Sequence, residues 1–100
     1  MTQLESQHFP YFAINCEALP ENLIEGEVQR HLELAQGGTL CLDNVDKLPL
    51  ATQAHLLNAL DSHPDVHIVA TTSTDIQQAI QDGTFQKDLY HRLEKVEKKA

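Results

Sequence analysis

Three short runs rich in branched and aromatic residues recur along the chain: Tyr11–Asn15 (YFAIN), Thr39–Asp43 (TLCLD) and Val66–Thr72 (VHIVATT). Each reads as a buried strand, and the segments between them are long enough for helices. Strands separated in this way cannot pair as hairpins; they need crossovers, which are right-handed and lay the strands parallel. The expected class is α/β, a three-layer parallel sheet of about three strands with flanking helices. Residues 1–100 are expected to form one domain, since a chain of 100 residues buries about 65% of its unfolded surface and supports one modest core.

The helical segments carry start and stop signals. In LPENLIEGEVQRHLELAQGG, Pro20 suits a first turn, Glu21 and Glu25 suit the positive end of the helix dipole, and Gly37-Gly38 makes a stop. Ile24, Val28, Leu32 and Ala35 share one face if the helix runs through Gly26; a glycine there costs about 1 kcal/mol against alanine, so a kink is the alternative. LPLATQAHLLNAL follows the second strand with Leu50, Ala54, Leu57 and Leu60 on one face. Thr74 with Gln77 reads as a capping box for a third helix that Gly83 ends. A last helix carries Phe85, Leu89 and Leu93, and the final KVEKKA reads as a solvated charged tail.

Composition excludes several functions. The net charge of −8 opposes direct nucleic-acid binding, which draws its affinity from Lys and Arg on phosphates. No apolar run approaches the roughly 18 residues of a membrane span, and no secretion-type leader opens the sequence. Cys16 and Cys41 sit in or beside apolar runs, as packed, reduced thiols do. A cytoplasmic location is expected.

In parallel sheets ligands collect beyond the C-terminal strand ends, where Asn15, Asp43, Thr71 and Thr72 should lie. Asp43 ends an apolar run, the way nucleotide hydrolases present a carboxylate to magnesium, yet the next residue is the neutral Asn44. Cys16 lacks an evident activating base. His55, His63 and His67 are too loosely spaced for a zinc site. The residues themselves therefore give no catalytic group and no metal site.

Four segments, FAINCEALPENLIEGE, LELAQGGTLCLDNVDKLPLATQAHLLNAL, VHIVATTSTDI and GTFQKDLYHRL, resemble in that order the AAA+ ATPase domain of bacterial sigma-54-dependent transcription activators of the NtrC type. The similarity extends from Phe12 to Val96 and implies a partial P-loop NTPase core within a response regulator or related transcription factor. It places Asp43 at the magnesium-organising aspartate, Asn44 at the glutamate that polarises water, Ser73 at the sensor asparagine, Gln86 at an intersubunit arginine and Arg92 at a second, retained arginine. A neutral amide can orient water but cannot take its proton.

The family's phosphate loop is absent from this chain, and so is the GAFTGA loop that would interrupt the segment between EGEV and QRHLELA; only DSHPD stands for a second inserted hairpin. The resemblance thus implies a degenerate domain: vestigial nucleotide residues Asp43, Asn44, Ser73 and Arg92, no cofactor, and an interaction or signal-relay role. The alternative is a fragment of a nucleotide-binding activator whose phosphate loop lies outside this chain, with ATP and magnesium as cofactors. In the AAA+ fold the phosphate-loop strand neighbours the sensor strand, here Val66–Thr72. That edge is expected to be bare and to mediate self-association, or contact with another domain of the same regulator.

Overall fold

The first helical segment forms one continuous helix despite its glycine, because its apolar stripe holds it to the core from end to end. The computed structural model describes residues 9–99. In it β1 (Tyr11–Asn15) leads to α1 (Glu21–Leu34), whose Ile24, Val28 and Leu32 are buried. Gly26 keeps helical geometry and faces solvent. The helix closes on Gly37, at φ 81°, and on Gly38, where a Cβ would fall 2.0 Å from the Pro10 carbonyl oxygen. Only glycine permits that approach of the chain to the start of β1.

β2 (Thr39–Asp43) follows, then a single 3-10 turn (Val45–Lys47), α2 (Leu50–Asp61), β3 (His67–Thr72), α3 (Ile76–Asp82), α4 (Lys87–Arg92) and β4 (Lys95–Lys98). The sheet is entirely parallel, in the order β1-β2-β3-β4. The parallel α/β class is thus as expected, with four strands in place of three. The fourth is drawn from the segment read as a solvated tail. After α4 the chain emerges beside the start of β3, where the Glu94 N–H donates to the Ile68 carbonyl at 2.8 Å. It then runs along β3 with Val69 opposite Lys95 and Thr72 opposite Lys98. Backbone pairing satisfies the β3 edge whatever side chains the new strand carries. The expected bare edge at Val66–Thr72, and association through it, is therefore corrected: β3 lies between two strands.

The layering differs too. Strands laid side by side in chain order and joined by right-handed crossovers place every helix on the same face. Ile14, Leu40, Leu42, Ile68 and Ala70 point to that face and form one core with Val28, Leu32, Leu56, Leu60, Phe85 and Leu89. The alternate residues Tyr11, Ala13, Thr39, Cys41, Val69 and Thr71 stay outside the core and line an open hollow of about 400 Å³. The molecule has two layers rather than three among its described residues.

Two local expectations also change. α2 buries Gln53, Leu56 and Leu60, while Leu50 is 45% exposed. The helix is apolar on most sides, so periodicity alone does not select a face; Gln53 selects it. The Gln53 amide donates to the Leu48 and Thr84 carbonyls at 2.9 and 3.0 Å and its oxygen accepts the Gln86 N–H at 2.8 Å, locking α2 to the start of α4. The cap of α3 is Asp75, which accepts from the N–H groups of Gln77 and Gln78, rather than Thr74. Gly83, at φ 81°, ends that helix as expected.

Two stability changes are expected in urea unfolding. Gly26→Ala should raise stability by about 0.5 to 1 kcal/mol, since the helix is unbroken there and the site is open; a loss would mean that the helix breaks at this residue. Gln53→Ala should lower stability by about 2 to 4 kcal/mol, as it strips one buried and two partly buried backbone groups of their partner.

Candidate functional site

The polar residues of the sheet gather where its strands end. β1 closes on Asn15 and β2 on Asp43, which are register partners. Asn44 then takes the left-handed conformation, φ 57° and ψ 46°, which asparagine tolerates better than most residues. This twist turns its side chain back toward β1, where its amide donates to Asn15 Oδ1 at 2.9 Å. Asn15 Oδ1 also accepts the Glu17 N–H at 3.0 Å. From β3, the Thr71 hydroxyl accepts the Asn44 N–H at 3.1 Å and donates to Asp43 Oδ1 at 3.0 Å. Asp43, Asn44, Asn15 and Thr71 form one web that ties three strand ends together.

A second cluster adjoins it. The 3-10 turn brings Asp46 against the residues after β3, where its carboxylate accepts the Ser73 N–H at 3.2 Å and hydroxyl at 3.0 Å, and the Thr74 hydroxyl at 2.9 Å. Partial burial works against ionisation of Asp46, yet the hydrogen bonds from Thr74 and Ser73 outweigh it and hold the carboxyl below its ordinary value. Asp46 was not among the residues that the sequence singled out. Its signal is its spacing, three residues past Asp43 and just ahead of Leu48-Pro49, which places it one tight turn beyond the strand end.

The structure brings together three of the five residues assigned by resemblance. Asp43 and Asn44 share the first web, and Ser73 stands beside it, turned to Asp46. Arg92 lies elsewhere: its Nη2 donates to the Leu60 carbonyl at 2.9 Å and its Nε is 3.6 Å from Asp61, at the C-terminal end of α2. Because α2 runs back from the strand ends, Arg92 clamps the opposite rim of the sheet. Gln86 stands at the N-cap position of α4 without a side-chain cap bond, and its N–H donates to Gln53.

These groups do not suit magnesium and a triphosphate. One oxygen of Asp43 is already taken by Thr71, and the side chain of Asn44 is turned to Asn15 and brings no second carboxylate. Among the described residues no cluster of three His, Cys, Asp or Glu side chains has metal-binding geometry. Nucleophilic chemistry at Cys16 is equally disfavoured: burial, with the negative field of Asp43 added, pushes its thiol up to about 12, so the nucleophilic thiolate is scarce near neutral pH. Both cysteines are free and buried; Cys16 packs in the core, and Cys41 lies in the floor of the hollow.

Comparison with known proteins identifies the fold's origin. The family model of the sigma-54 interaction domain matches residues 27–98. The chain belongs to the sigma-54 interaction domain family. It is 37% identical to the regulatory protein LuxO of Vibrio cholerae, over 84% of this chain and 21% of LuxO. It is 36% identical to the transcriptional regulatory protein FlbD of Caulobacter vibrioides, over 84% of this chain and 24% of FlbD. HrpS of Pseudomonas syringae, a probable regulatory protein of a pathogenicity locus, is 34% identical over 83% of this chain and 36% of HrpS. The chain thus spans between about a fifth and a third of the length of these relatives, and it is a piece of the sigma-54 interaction domain of transcription regulators. Its alignment with LuxO is 111 positions long but spans only 84% of a 100-residue chain, so LuxO carries segments here that this chain lacks. The uninterrupted run of α1 from Glu25 to Leu34, and the short connection from Asp61 to His67, are where the resemblance places two such segments.

The Asp46 cluster gives a pH test. A carboxyl whose folded value is lowered contributes stability above its unfolded value, about 4, and loses it as pH falls through the folded value. Asp46→Asn should therefore flatten the acid limb of the stability profile, with parent and variant converging at the most acidic pH. Urea midpoints measured between about pH 2 and 6 read this directly; an unchanged acid limb would assign the acid sensitivity to other carboxyls.

Proposed function

We propose that this chain is a non-catalytic AAA+-like domain of a bacterial, cytoplasmic transcription regulator of the sigma-54 activator type, acting as an interaction or signal-relay module. The observation that carries this reading is the β3 edge: β4 occupies the position in which the resemblance puts the phosphate-loop strand. Two further features support it. The carboxylate of Asp43 is engaged by Thr71 and serves to tie strands, and Asn44 supplies no general base. The net charge of −8 directs the module to protein partners, itself or another domain of the same regulator, rather than to DNA. Retention of a well-packed scaffold around altered chemical positions fits a domain kept for its surfaces.

A second reading has one observation in its favour. Since the chain spans about a fifth of LuxO, it is also compatible with being part of a nucleotide-binding AAA+ activator whose phosphate loop is carried on another segment, with ATP and magnesium bound only when that segment is present. In that case β4 would give up its place beside β3 to the phosphate-loop strand.

Titration calorimetry of this chain with ATP and magnesium separates the readings when repeated on the polypeptide of its full reading frame. We expect no affinity tighter than about 1 mM for this chain, because it carries no cradle of N–H groups and lysine for the phosphates, and, under the first reading, none for the full-length polypeptide either. Micromolar binding by the full-length polypeptide alone would establish the second reading, and micromolar binding by this chain would refute the first outright. Asn44→Glu should release no phosphate above background, since a base acts only on a phosphate and water already positioned.

A further inference from the structure

The four strands are fastened unequally. We propose that β4 is a strap that lifts off β3 while the rest of the sheet stays folded, opening the β3 edge within the native protein. The boundary of the strap is sharp. Leu93, just after α4, is buried in the core, and its N–H donates to the Tyr90 carbonyl. Beyond it Lys95, Glu97 and Lys98 are exposed, and Val96 alone packs against the core, half-buried. β2, by contrast, buries Leu40, Cys41 and Leu42 in succession.

Side chains add little to the ladder between β3 and β4. Glu94 meets His67 at 2.7 Å, but each is at least half exposed, and an exposed pair contributes little. The Lys95 ammonium is matched by Glu97 within the strap itself. What remains is backbone pairing, where each bond formed is offset by the conformational freedom that the residue gives up. A segment with a single apolar anchor belongs to the low-stability end of a native structure and opens without the core. Opening bares the backbone groups of Ile68, Ala70 and Thr72, an edge on which an incoming strand can pair. The second reading above needs this edge vacated, but the strap belongs to the chain by itself and does not depend on nucleotide.

Backbone alternation makes neighbours within β3 into separate reporters. The His67 N–H donates to the Gly38 carbonyl, on the β2 side, whereas the Ile68 carbonyl accepts from Glu94, on the β4 side. Successive residues of a strand turn their backbone groups to opposite sides, so the amides of Val69 and Thr71 face β2 and those of Ala70 and Thr72 face β4. At the far end of the strap the Lys99 N–H donates to the Thr72 carbonyl at 2.8 Å, on that same side.

Hydrogen exchange of the folded chain, followed residue by residue by NMR, tests the strap. Ala70 and Thr72 should be protected roughly tenfold less, or weaker still, than Val69 and Thr71, and their exchange should respond little to low urea, as small openings do. Gly26→Ala, which acts on the helix α1, should slow Val69 and Thr71 and leave Ala70 and Thr72 unchanged. Val96→Ala should speed Ala70 and Thr72 several-fold; Glu94→Ala, at an exposed position, is read in its place should that variant fail to fold. Equal protection of all four amides, or a common slowing of all four by Gly26→Ala, would make β4 part of the cooperative core and overturn the proposal. Ala70 and Thr72 amides that no loosening of the strap accelerates would overturn it as well, and so would their exchange at the rates of an unfolded chain, since β4 would then not pair in solution.

Discussion

The handedness of strand-to-strand crossovers governs this molecule. Once β1, β2, β3 and β4 lie side by side in chain order, right-handed connections leave no route by which a helix reaches the second face. The core is consequently one-sided: residues of one parity in each strand meet α1, α2 and α4, and residues of the other parity lie on the helix-free face, where Cys41 at the centre of the sheet is nonetheless buried. β2, at the centre, shows the consequence most sharply, with Leu40 and Leu42 fully buried. Covering the second face would need a connection that runs in the opposite direction across the sheet, and among the described residues no connection does.

The strand ends inherit this arrangement. Parallel strands bring Asn15, Asp43 and Thr71 to the same rim, as sequence position alone foretold. What they do there is decided by geometry on the scale of one hydrogen bond. With the left-handed turn at Asn44, the amide that replaces an acid satisfies Asn15, and Asp43 is left to Thr71. A carboxylate held by a hydroxyl, and an asparagine held by an asparagine, fasten the β1, β2 and β3 termini against fraying. Asp46, by contrast, is fed by three donors from the segment after β3, and this is what keeps it ionised. The two carboxylates hold two different loops and do not converge on one point.

Much of this was legible beforehand because it depends on patterns longer than one turn. The three apolar strands, the stripe Ile24, Val28 and Leu32 and the glycine stops all follow from periodicity and backbone freedom, and the family resemblance rests on the same segments. The misreadings occur where local composition is neutral or where backbone alone decides. α2 is apolar on most of its circumference, and a single buried glutamine sets its rotation. Thr74 and Asp75 are adjacent and equally good caps by type; Asp46 attracts the threonine and leaves the aspartate to cap α3. Arg92 fits a catalytic pattern in the sequence but meets a helix C-terminus in space, where it donates to the Leu60 carbonyl, which also accepts the His63 N–H.

β4 joins these strands of argument. Its sequence, Lys-Val-Glu-Lys, carries one apolar residue, and a reading by side chains rejects it as a strand. A sheet edge asks something else of its last member: unpaired N–H and C=O groups on the inner side need partners, and charge on the outer side discourages further pairing. Lys95, Glu97 and Lys98 are exposed, Val96 is half-buried against the core, and the backbone completes the ladder with β3. The segment thus both fills the edge and blunts it. At the far side β1 has no charged residue between Tyr11 and Asn15, so the protections of this sheet are unequal.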